Sequence, residues 1–578
     1  MDNDIFMYKV QINSDKFLGC SKKMNSPAEV LQQTNFSVID WIIIIAYPMI
    51  SLVIGLVVRR YVKDMNDFVC AGRGLGVCLG VATMTGTELG LITVMYSAQK
   101  GFTGGFAAFH IAVAAGITTF IVGSTGFIVY RLREMQVMTI PEFYERRFGR
   151  KTRILGGLMM ALGGILNMGL FLKVGSMFLV GITGLSEHSL ALPVVMVFLL
   201  SLVLIYTCLG GMLSIVIADY VQFVVLSFGL LLATLLAIWH LGWTNIFSTV
   251  EQLMGPAGFD PTIEGSGFGL DYMIWMGFLG LIGCAVWPTS VARALAMESP
   301  AAVKKQYMWA SISFMIRFLI PYFWGICALV FVVTQDAELQ TLFFPSADAL
   351  AGGTEPFDNL YAMPIFLGRI LPAGIIGIIS AGMIAAFMST HDSYLLCWSS
   401  VLTQDVIAPM FDNRLSSKTR ILITRVLIVA IGLFVLYWGL LYEGKDDVWD
   451  YMAVTGAIYF TGAFALLLGG LYWKKASSTG AVLALLAGST ALLGLGPVQA
   501  RVGKLLTALS GPSLSETSWL AQLPGVSLVE RTSAAEVAMS LSVDISSERV
   551  GLISIGMTLG ALVLGSLLFP DKNQRESV

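Results

Sequence analysis

Four ionisable side chains lie inside apolar runs of the sequence, where their presence calls for a chemical reason. They are Glu88, Lys173, Asp219 and Asp392. An ionisable group at the centre of a bilayer costs about 2.5–3.5 kcal/mol on insertion scales, so such groups pair with one another or mark ion pathways. We therefore expect these four intramembrane charges to pair with one another or to line an ion pathway.

The surroundings of Glu88 predict an interrupted helix. The carboxylate stands in the segment MTGTELG, residues 84–90, where glycines on both sides weaken a helix. A helix broken in mid-membrane exposes carbonyl oxygens that transporters use to hold ions, which would make the carbonyls of Gly86 and Leu89 available. The alternative is tight helix packing through Gly and Thr, which explains the glycines but not Glu88.

A second group of oxygens is predicted in the segment AAFMSTHDS, residues 385–393. Ser389 and Thr390 follow Ala386 by three and four residues, which places both hydroxyls beside the Ala386 carbonyl on one helix face. Three neutral oxygens form half of a shell for a hard monovalent cation, whereas a divalent ion normally takes carboxylates and more ligands. The alternative is that both hydroxyls bond only to their own helix.

Two cationic side chains, Lys173 and Arg317, lie within apolar runs. Lys173 is central in its run, so it needs an anion from another helix, for which Glu88, Asp392 and a solute carboxylate are the candidates. A structural salt bridge and a solute contact are both open. Arg317 stands about two turns into its run, and we expect it to extend to the cytoplasmic interface.

Asp219 follows a pair of glycines, Gly210 and Gly211, that predicts a tight cytoplasmic turn. The carboxylate then lies two turns into the next helix. Two roles are open for it, a stop for the ion on the cytoplasmic side and a partner for a neighbouring backbone end.

The composition requires a lipid-embedded scaffold for these residues. Of 578 residues, 56% are hydrophobic and 12% are charged, against roughly 25% charged in a soluble domain, and the mean hydropathy is +0.78. Runs of about 20 apolar residues can cross the bilayer. The sequence has thirteen such runs, at 38–58, 75–98, 105–130, 154–183, 190–208, 212–240, 270–292, 308–334, 370–400, 418–442, 448–473, 477–497 and 550–569.

Charge and cysteine content exclude several other classes of function. A net charge of −2 offers no basic stripe for nucleic acid. The seven scattered cysteines form no CxxC pair, so neither a disulfide framework nor a metal cluster is predicted, and we expect no cofactor. We expect no enzyme activity, since no soluble catalytic domain fits along the chain.

The distribution of Lys and Arg predicts the orientation in the membrane. With the N-terminus outside, the cytoplasmic side holds 22 of these residues and the outer side 11, in agreement with the positive-inside rule. This orientation places the tail 1–37 outside the cell and the tail 570–578 in the cytoplasm. The outer segments 335–369 and 498–549 are predicted to be irregular loops with short helices.

Four stretches, in order along the chain, resemble motifs of the sodium/solute symporter family, which includes proline, pantothenate, choline, iodide and sugar carriers. Residues 66–73 resemble its DFxx(A/G)GR motif and residues 141–149 its PExxxxR(F/Y)G loop. Residues 206–222 resemble YTxxGGxxxVxx(T/A)DxxQ, and residues 388–393 resemble MSTxDS. A single motif would be weak, but the ordered set is specific.

The resemblance implies an all-α membrane protein of about thirteen transmembrane helices with a LeuT-like core. That core consists of two inverted repeats of five helices, here 75–240 and 270–473. A peripheral helix at 38–58 precedes it, and two helices within 477–569 follow it.

The resemblance also implies binding residues. The sodium site would be formed by the carbonyls of Gly86, Leu89 and Ala386 and the hydroxyls of Ser389 and Thr390. The position of Glu88 is also acidic in proline carriers.

The solute would bind beside the two broken helices, and the residues expected there are Thr87, Trp275, Gly283 and Trp287. Sugar carriers tend to have an aromatic gate near the position of Gly283, so a sugar is disfavoured. His391 and Tyr394 fit no named subfamily.

Together these features predict sodium-coupled symport of a small polar organic solute by alternating access. An amino acid, carboxylate, vitamin or quaternary amine is expected in preference to a sugar. The protein is expected in the plasma membrane as a monomer or weak homo-oligomer, with sodium, the solute and lipid as its partners. The main alternative is a proton-coupled carrier that uses Glu88 or Asp392, and channel or sensor functions are weaker alternatives.

Overall fold

The computed structural model describes residues 27–58, 70–186, 188–263, 267–412, 414–442, 448–510, 526–533, 536–543 and 545–571. Predictions about most of the N-terminal tail, about the first motif before residue 70, and about residues 572–578 of the C-terminal tail lie outside the described residues.

The described chain is almost entirely helical, which confirms the predicted fold class. The helices up to the second broken pair are α1 Pro27–Gln32, α2 Val38–Val58, α3 Val77–Glu88, α4 Leu91–Gly104, α5 Phe109–Thr125, α6 Val129–Glu134, α7 Ile140–Phe148, α8 Arg150–Asn167, α9 Phe171–Ile182, α10 Ala191–Leu241, α11 Trp243–Met254, α12 Leu270–Val286 and α13 Pro288–Ala296. The later ones are α14 Pro300–Gln335, α15 Ala337–Phe343, α16 Ala347–Ala351, α17 Ala362–Ile370, α18 Ile375–Val401, α19 Ser417–Leu441, α20 Val448–Tyr472, α21 Ser478–Gly488, α22 Gly496–Ser510 and α23 Ser547–Leu568.

Among the described residues, eight helices are long and apolar enough to cross a membrane, and ten if each of two bent pairs is one crossing. Several of the thirteen predicted runs take another form. The run 75–98 is divided between α3 and α4, and the run 190–208 contains the shorter apolar helix Ala191–Ile205. The protein is therefore a multi-pass membrane protein whose core helices are interrupted.

Local sequence sets the starts of the helices around the site. α14 begins at Pro300, and the Ser299 side chain accepts a hydrogen bond from the backbone N–H of Ala302, which is the usual N-cap arrangement. α13 also begins with a proline, Pro288, directly after Trp287 in extended backbone. Proline removes one backbone donor, and the helix pair α12 and α13 bends by 40° at this point.

The helical segment α10 is 51 residues long, but the two apolar parts that it contains, Ala191–Ile205 and Ile215–Leu241, run in opposite directions. Two contacts align its first half antiparallel to α19: Met196 with Gly439, and Leu204 with Gly432. Two others align its second half antiparallel to α18: Leu226 with Gly382, and Gly229 with Ile379. α18 and α19 are themselves antiparallel, since Thr424 bonds to Thr403 across their short connection. The chain therefore reverses between these two parts, and the tight turn at residues 210–211 stays a prediction.

The packing divides the chain into two units. The first comprises residues 1–140 and 168–441, and the second comprises residues 141–167 and 442–578. The first unit contains every residue predicted to bind sodium or solute. The predicted inverted repeats are a relation of symmetry, which a division by packing does not test, so they stay a prediction.

Within the second unit, the motif at residues 141–149 contacts the C-terminal end of another helix. Arg147 donates to the carbonyls of Gly470 at 3.3 Å and Lys474 at 2.9 Å, at the end of α20. Cations favour helix C-termini because carbonyls there lack intrahelical partners. Arg147 therefore caps the C-terminal end of α20.

The two segments expected to be outer loops differ in how well their structure was predicted. The segment 335–369 contains the short helices α15 and α16 and most of α17, as expected. The segment 498–549 holds most of α22 and an antiparallel hairpin of β1 Val526–Ser533 and β2 Glu536–Val543. The prediction of irregular loops with short helices missed this hairpin, although the alternation of apolar residues in β2 is typical of a strand.

Candidate functional site

The first broken helix lies between α3 and α4. Helix α3 ends at Glu88, the backbone of Leu89 leaves the helical region at φ −91° and ψ 63°, and Gly90 is extended at φ −79° and ψ 160°. Residues 82–87 are all buried. The last carbonyls of a helix have no intrahelical partners, so the break supplies oxygens inside the protein. The predicted interruption is confirmed.

The side chain of Ser389 reaches this break from α18. Its Oγ lies 3.0 Å from the carbonyl oxygen of Gly86 and 3.1 Å from that of Ala386. Ser389 is fully buried. The structure therefore brings together three of the five residues predicted to hold sodium, and none of their oxygens carries a formal charge.

The other two predicted ligands also lie at the break. Thr390 Oγ1 donates to the carbonyl of Thr87 at 3.0 Å. Leu89 is buried, and its N–H donates to the carbonyl of Thr85 at 2.8 Å. Thr87, predicted as a solute contact, thus also contributes an oxygen to this cluster. Carriers coordinate Na⁺ through the carbonyl oxygens of unwound backbone, and the hydroxyls at this break are further neutral oxygens.

A buried charge cluster joins Asp219, Asp392 and Arg293. Thr83 donates to Asp219 Oδ2 at 2.6 Å, and Arg293 Nη2 lies 3.9 Å from the same oxygen. The Ser393 hydroxyl accepts from Arg293 and donates to Asp392 Oδ1 at 3.1 Å. The three charged side chains are at most 1% exposed. Among the described residues, Asp219 has side chains as partners, not a backbone end, so that alternative for its role is wrong.

Glu88 forms a separate ion pair with Arg317. Arg317 Nη1 donates to the Glu88 backbone carbonyl at 2.7 Å and approaches its Oε2 at 3.3 Å. Glu88 Oε1 accepts from Thr289 Oγ1 at 2.9 Å and Ser290 Oγ at 2.7 Å. The expectation that Arg317 extends to the cytoplasmic interface is wrong, because a carboxylate and a free helix carbonyl hold it at the break.

The second broken helix meets the first through these hydroxyls. Thr289 and Ser290 lie in the first turn of α13, directly after the bend at Trp287. Trp287 Nε1 donates to the Tyr394 hydroxyl of α18 at 2.9 Å. Glu88 therefore bridges the two interruptions, and the aromatic rings of Trp287 and Tyr394 stand beside them.

The remaining predicted solute residues are not gathered at one point. Trp275 is 1% exposed and lies twelve residues before Trp287, a separation of roughly 18 Å along a helix. Gly283 is half-buried, and a Cβ atom there would meet nothing within 4 Å. Thr87 Oγ1 lies 3.3 Å from Ser393 Oγ, on the side of the charge cluster. Trp287 and Thr87 are thus the predicted solute residues that lie at the breaks.

Lys173 lies in α9 with a half-buried side chain, and its Cβ packs close to Gly439. Of the anions considered for it, Glu88 is paired with Arg317. The Ser393 hydroxyl forms hydrogen bonds with both Asp392 and Arg293. The role of Lys173 stays a prediction.

Three features of the site were missed from the sequence. Arg293 is fully buried although its position directly after an apolar run is typical of a cytoplasmic charge, and the hydroxyls of Thr289 and Ser290 were not singled out. The available signal was the run of Pro, Thr and Ser directly after Trp287, which resembles the start of a second half-helix.

The chain is similar to known proteins in both sequence and fold. A model of the sodium:solute symporter family matches residues 68–488. Similar curated proteins include a sodium/glucose cotransporter of Vibrio parahaemolyticus, 26% identical over 78% of this chain and 84% of that protein. They also include the high-affinity proline transporter PutP of Bacillus subtilis, 24% identical over 76% and 89%. The sodium/sialic acid symporter SiaT of Proteus mirabilis is 23% identical over 80% and 90%.

The fold is also similar to a solved structure, a substrate-bound outward-open state of a Na⁺-coupled sialic acid symporter. The TM-score is 0.70 at 18% sequence identity, and the match covers 93% of this chain and 100% of that chain. At this identity the likeness establishes the shared architecture.

Proposed function

The chain belongs to the sodium:solute symporter family, and from this premise we propose that its coupling ion binds where Ser389 meets the break between α3 and α4. The protein is a sodium-coupled solute symporter, a transporter and not an enzyme. The proposal concerns which residues hold the ion and what solute they serve.

The single observation that carries the sodium site is the position of Ser389 Oγ, 3.0 Å from the Gly86 carbonyl and 3.1 Å from that of Ala386. A hydroxyl that donates to such a carbonyl can turn its proton away and offer a lone pair to a cation. The carbonyl of Leu89 and the hydroxyl of Thr390 complete the proposed shell. All ligands are neutral, which suits a monovalent ion better than a divalent one.

The proposed cycle uses sodium to join two elements. The ion links α3 to α18 and so stabilises the outward-facing arrangement in which the solute binds. Rocking of the helices then opens the site inward, where a low sodium concentration favours release. One sodium ion crossing a potential of about 100 mV contributes about 2.3 kcal/mol, which suffices for roughly fifty-fold accumulation of a neutral solute.

We propose that the solute is a small polar organic molecule that binds near Trp287 and Thr87, at the breaks. The similar proteins carry names with glucose, proline and sialic acid. Gly283 offers no aromatic gate, so an amino acid, carboxylate, vitamin or quaternary amine is favoured over a sugar. Trp275 and Lys173 complete the proposed solute and charge residues of the site.

The proton-coupled alternative has less support than the sodium one. Glu88 accepts hydrogen bonds from Thr289, Ser290 and Arg317, so both of its carboxylate oxygens are already engaged within the protein. Asp392 remains as the alternative proton site. Uptake in which choline replaces sodium at fixed pH separates the two, because a proton-coupled carrier would continue to work.

The proposed setting is the plasma membrane, with the N-terminus outside and the C-terminus inside. The charge count supports this orientation. We further propose that the carrier works as a monomer or a weak homo-oligomer, with lipid around it.

Thermal unfolding of the purified protein tests the sodium site without knowledge of the solute. Sodium chloride should raise the melting temperature relative to choline chloride at equal ionic strength, because a ligand that binds only the folded state stabilises it. Loss of a hydrogen-bonding group to a charge costs about 1.5–3 kcal/mol, so Ser389→Ala should raise the sodium midpoint by roughly tenfold or more.

Ser399→Ala is the matched control for this experiment. Ser399 lies on the same helix, is fully buried, and bonds to the carbonyl of its own helix residue Leu396 at 3.1 Å. An equal sodium midpoint in the Ser389→Ala and Ser399→Ala variants would refute the site.

A further inference from the structure

The guanidinium of Arg317 is only partly used by the protein. Its Nη1 makes both contacts to Glu88, at 2.7 Å to the backbone carbonyl and 3.3 Å to Oε2. Nε is buried with no hydrogen-bond partner, and Nη2 bonds to no residue in the part of the chain that the structure describes. The edge formed by Nε and Nη2 therefore has no acceptor among the described residues.

Aromatic rings fix the plane of this guanidinium. Its centre lies 4.0 Å from the ring centroid of Phe314 and 4.5 Å from that of Phe318. Arginine stacks well on aromatic faces, so the open edge keeps a defined direction. About a tenth of the side chain is accessible, at 10%, which leaves an approach to the group.

Glu88 is the member of the pair whose hydrogen-bonding capacity is nearly filled. Two hydroxyls and one guanidinium N–H already bind its two oxygens. An ionised carboxylate has room for about four donors, so Glu88 offers little to an incoming molecule. Within the described residues, Nε and Nη2 of Arg317 are donors without a hydrogen-bond partner beside the meeting of the two breaks.

We propose that the transported solute carries a carboxylate and that this carboxylate binds the Nε–Nη2 edge of Arg317. The inference rests on the proposed function and names the solute class for that site. The guanidinium fork matches a carboxylate through two parallel hydrogen bonds. A sugar or a simple quaternary amine has no such group, so neither is the solute.

The arrangement also relates the solute to the ion. Arg317 and Glu88 together carry no net charge, and Glu88 lies two residues after Gly86, whose carbonyl belongs to the proposed sodium site. A carboxylate on Arg317 brings a negative charge near the sodium ion, and each then strengthens the binding of the other in a medium of low dielectric constant. Solute affinity therefore depends on sodium.

Matched pairs of probes test the carboxylate requirement. Thermal unfolding of the purified protein is measured in sodium chloride and in choline chloride with four acids, each beside an analogue without the carboxylate. The pairs are L-proline with L-prolinamide, N-acetylneuraminate with its methyl ester, pantothenate with pantothenol, and propionate with propionamide. Glucose and excess choline are added as solutes without a carboxylate. We expect at least one acid to raise the melting temperature in sodium, and its analogue to have no effect.

Two variants assign the effect to the arginine. Arg317→Lys keeps the positive charge and removes the fork, so the apparent affinity for the active acid should fall more than tenfold. Arg146→Lys is the matched control, since Arg146 lies on α7 in the second unit with a side chain 44% exposed. It should leave the affinity unchanged.

Several results would overturn the inference: stabilisation by an analogue equal to that by its acid, stabilisation by glucose or choline, no effect of any acid, or full affinity in Arg317→Lys. The sodium-induced shift without solute keeps this test separate from the proposed function. If that shift persists while the acids fail, the carboxylate inference falls and the sodium site stands. If sodium gives no shift in the unmodified protein, the proposed sodium site falls.

Discussion

Gly90 and Thr390 approach each other so closely that a Cβ atom at Gly90 would lie 2.2 Å from Thr390 Oγ1. The same hydroxyl lies 3.0 Å from the carbonyl of Thr87. The broken helix and α18 are therefore in direct contact, and only a residue without a side chain fits at this point. The proposed sodium site depends on that approach.

The first prediction concerns this contact. Gly90→Ala should lower the melting temperature and weaken the response to sodium, because the methyl group pushes the break away from Thr390. Overpacking of this kind costs about 1–3 kcal/mol. The backbone at Gly90, φ −79° and ψ 160°, is open to alanine, so the effect reports the steric contact alone.

Gly76→Ala is the matched control for that prediction. Gly76 is also extended, at φ −73° and ψ 166°, and precedes α3. A Cβ there would meet nothing within 4 Å. If both variants unfold at the same temperature and respond equally to sodium, the close approach is not as described.

The second prediction concerns the ion pair of Glu88 and Arg317. Glu88→Gln should destabilise the protein strongly, since removal of one partner from a buried pair costs about 3–5 kcal/mol. The double variant Glu88→Gln/Arg317→Gln should lose less stability than the sum of the two single variants. Unfolding of all four proteins gives the coupling energy, and additivity within about 0.5 kcal/mol would show that the two side chains do not interact.

The third prediction concerns the buried carboxylate of Asp219. Thr83→Val removes the hydroxyl that donates to it at 2.6 Å and keeps the shape of the side chain. A hydrogen bond to a charged group contributes about 1.5–3 kcal/mol, so we expect a clear fall in the free energy of unfolding. Thr118→Val serves for comparison, because Thr118 bonds to the Ala114 carbonyl of its own helix at 2.8 Å. An equal loss in both variants would argue against a special role for Thr83.

The sequence predicts those parts of the site that depend on local pattern. Small and hydroxyl residues around Glu88 predict an interrupted helix, and spacing on one helix places Ser389 and Thr390 beside Ala386. The break is seen at Leu89 and Gly90. Apolar runs predict the helical membrane fold because each must satisfy its own backbone hydrogen bonds in lipid.

Partnerships between distant helices are not encoded in local pattern. Arg317 lies 229 residues from Glu88, and position within its own apolar run gave the wrong expectation of contact with the interface. Arg293 directly follows the apolar run 270–292 and looks like a cytoplasmic charge, yet it lies within α13 and is buried beside Asp219. Only the tertiary fold decides which anion each cation meets.

Equilibrium binding of radioactive sodium to the purified protein examines the ion site without a solute or a transport assay. The unmodified protein should bind sodium saturably, and Ser389→Ala/Thr390→Val should lose most of that affinity while the Ser399→Ala control keeps it. An unchanged dissociation constant in the double variant would contradict the assignment of the ion to the break between α3 and α4.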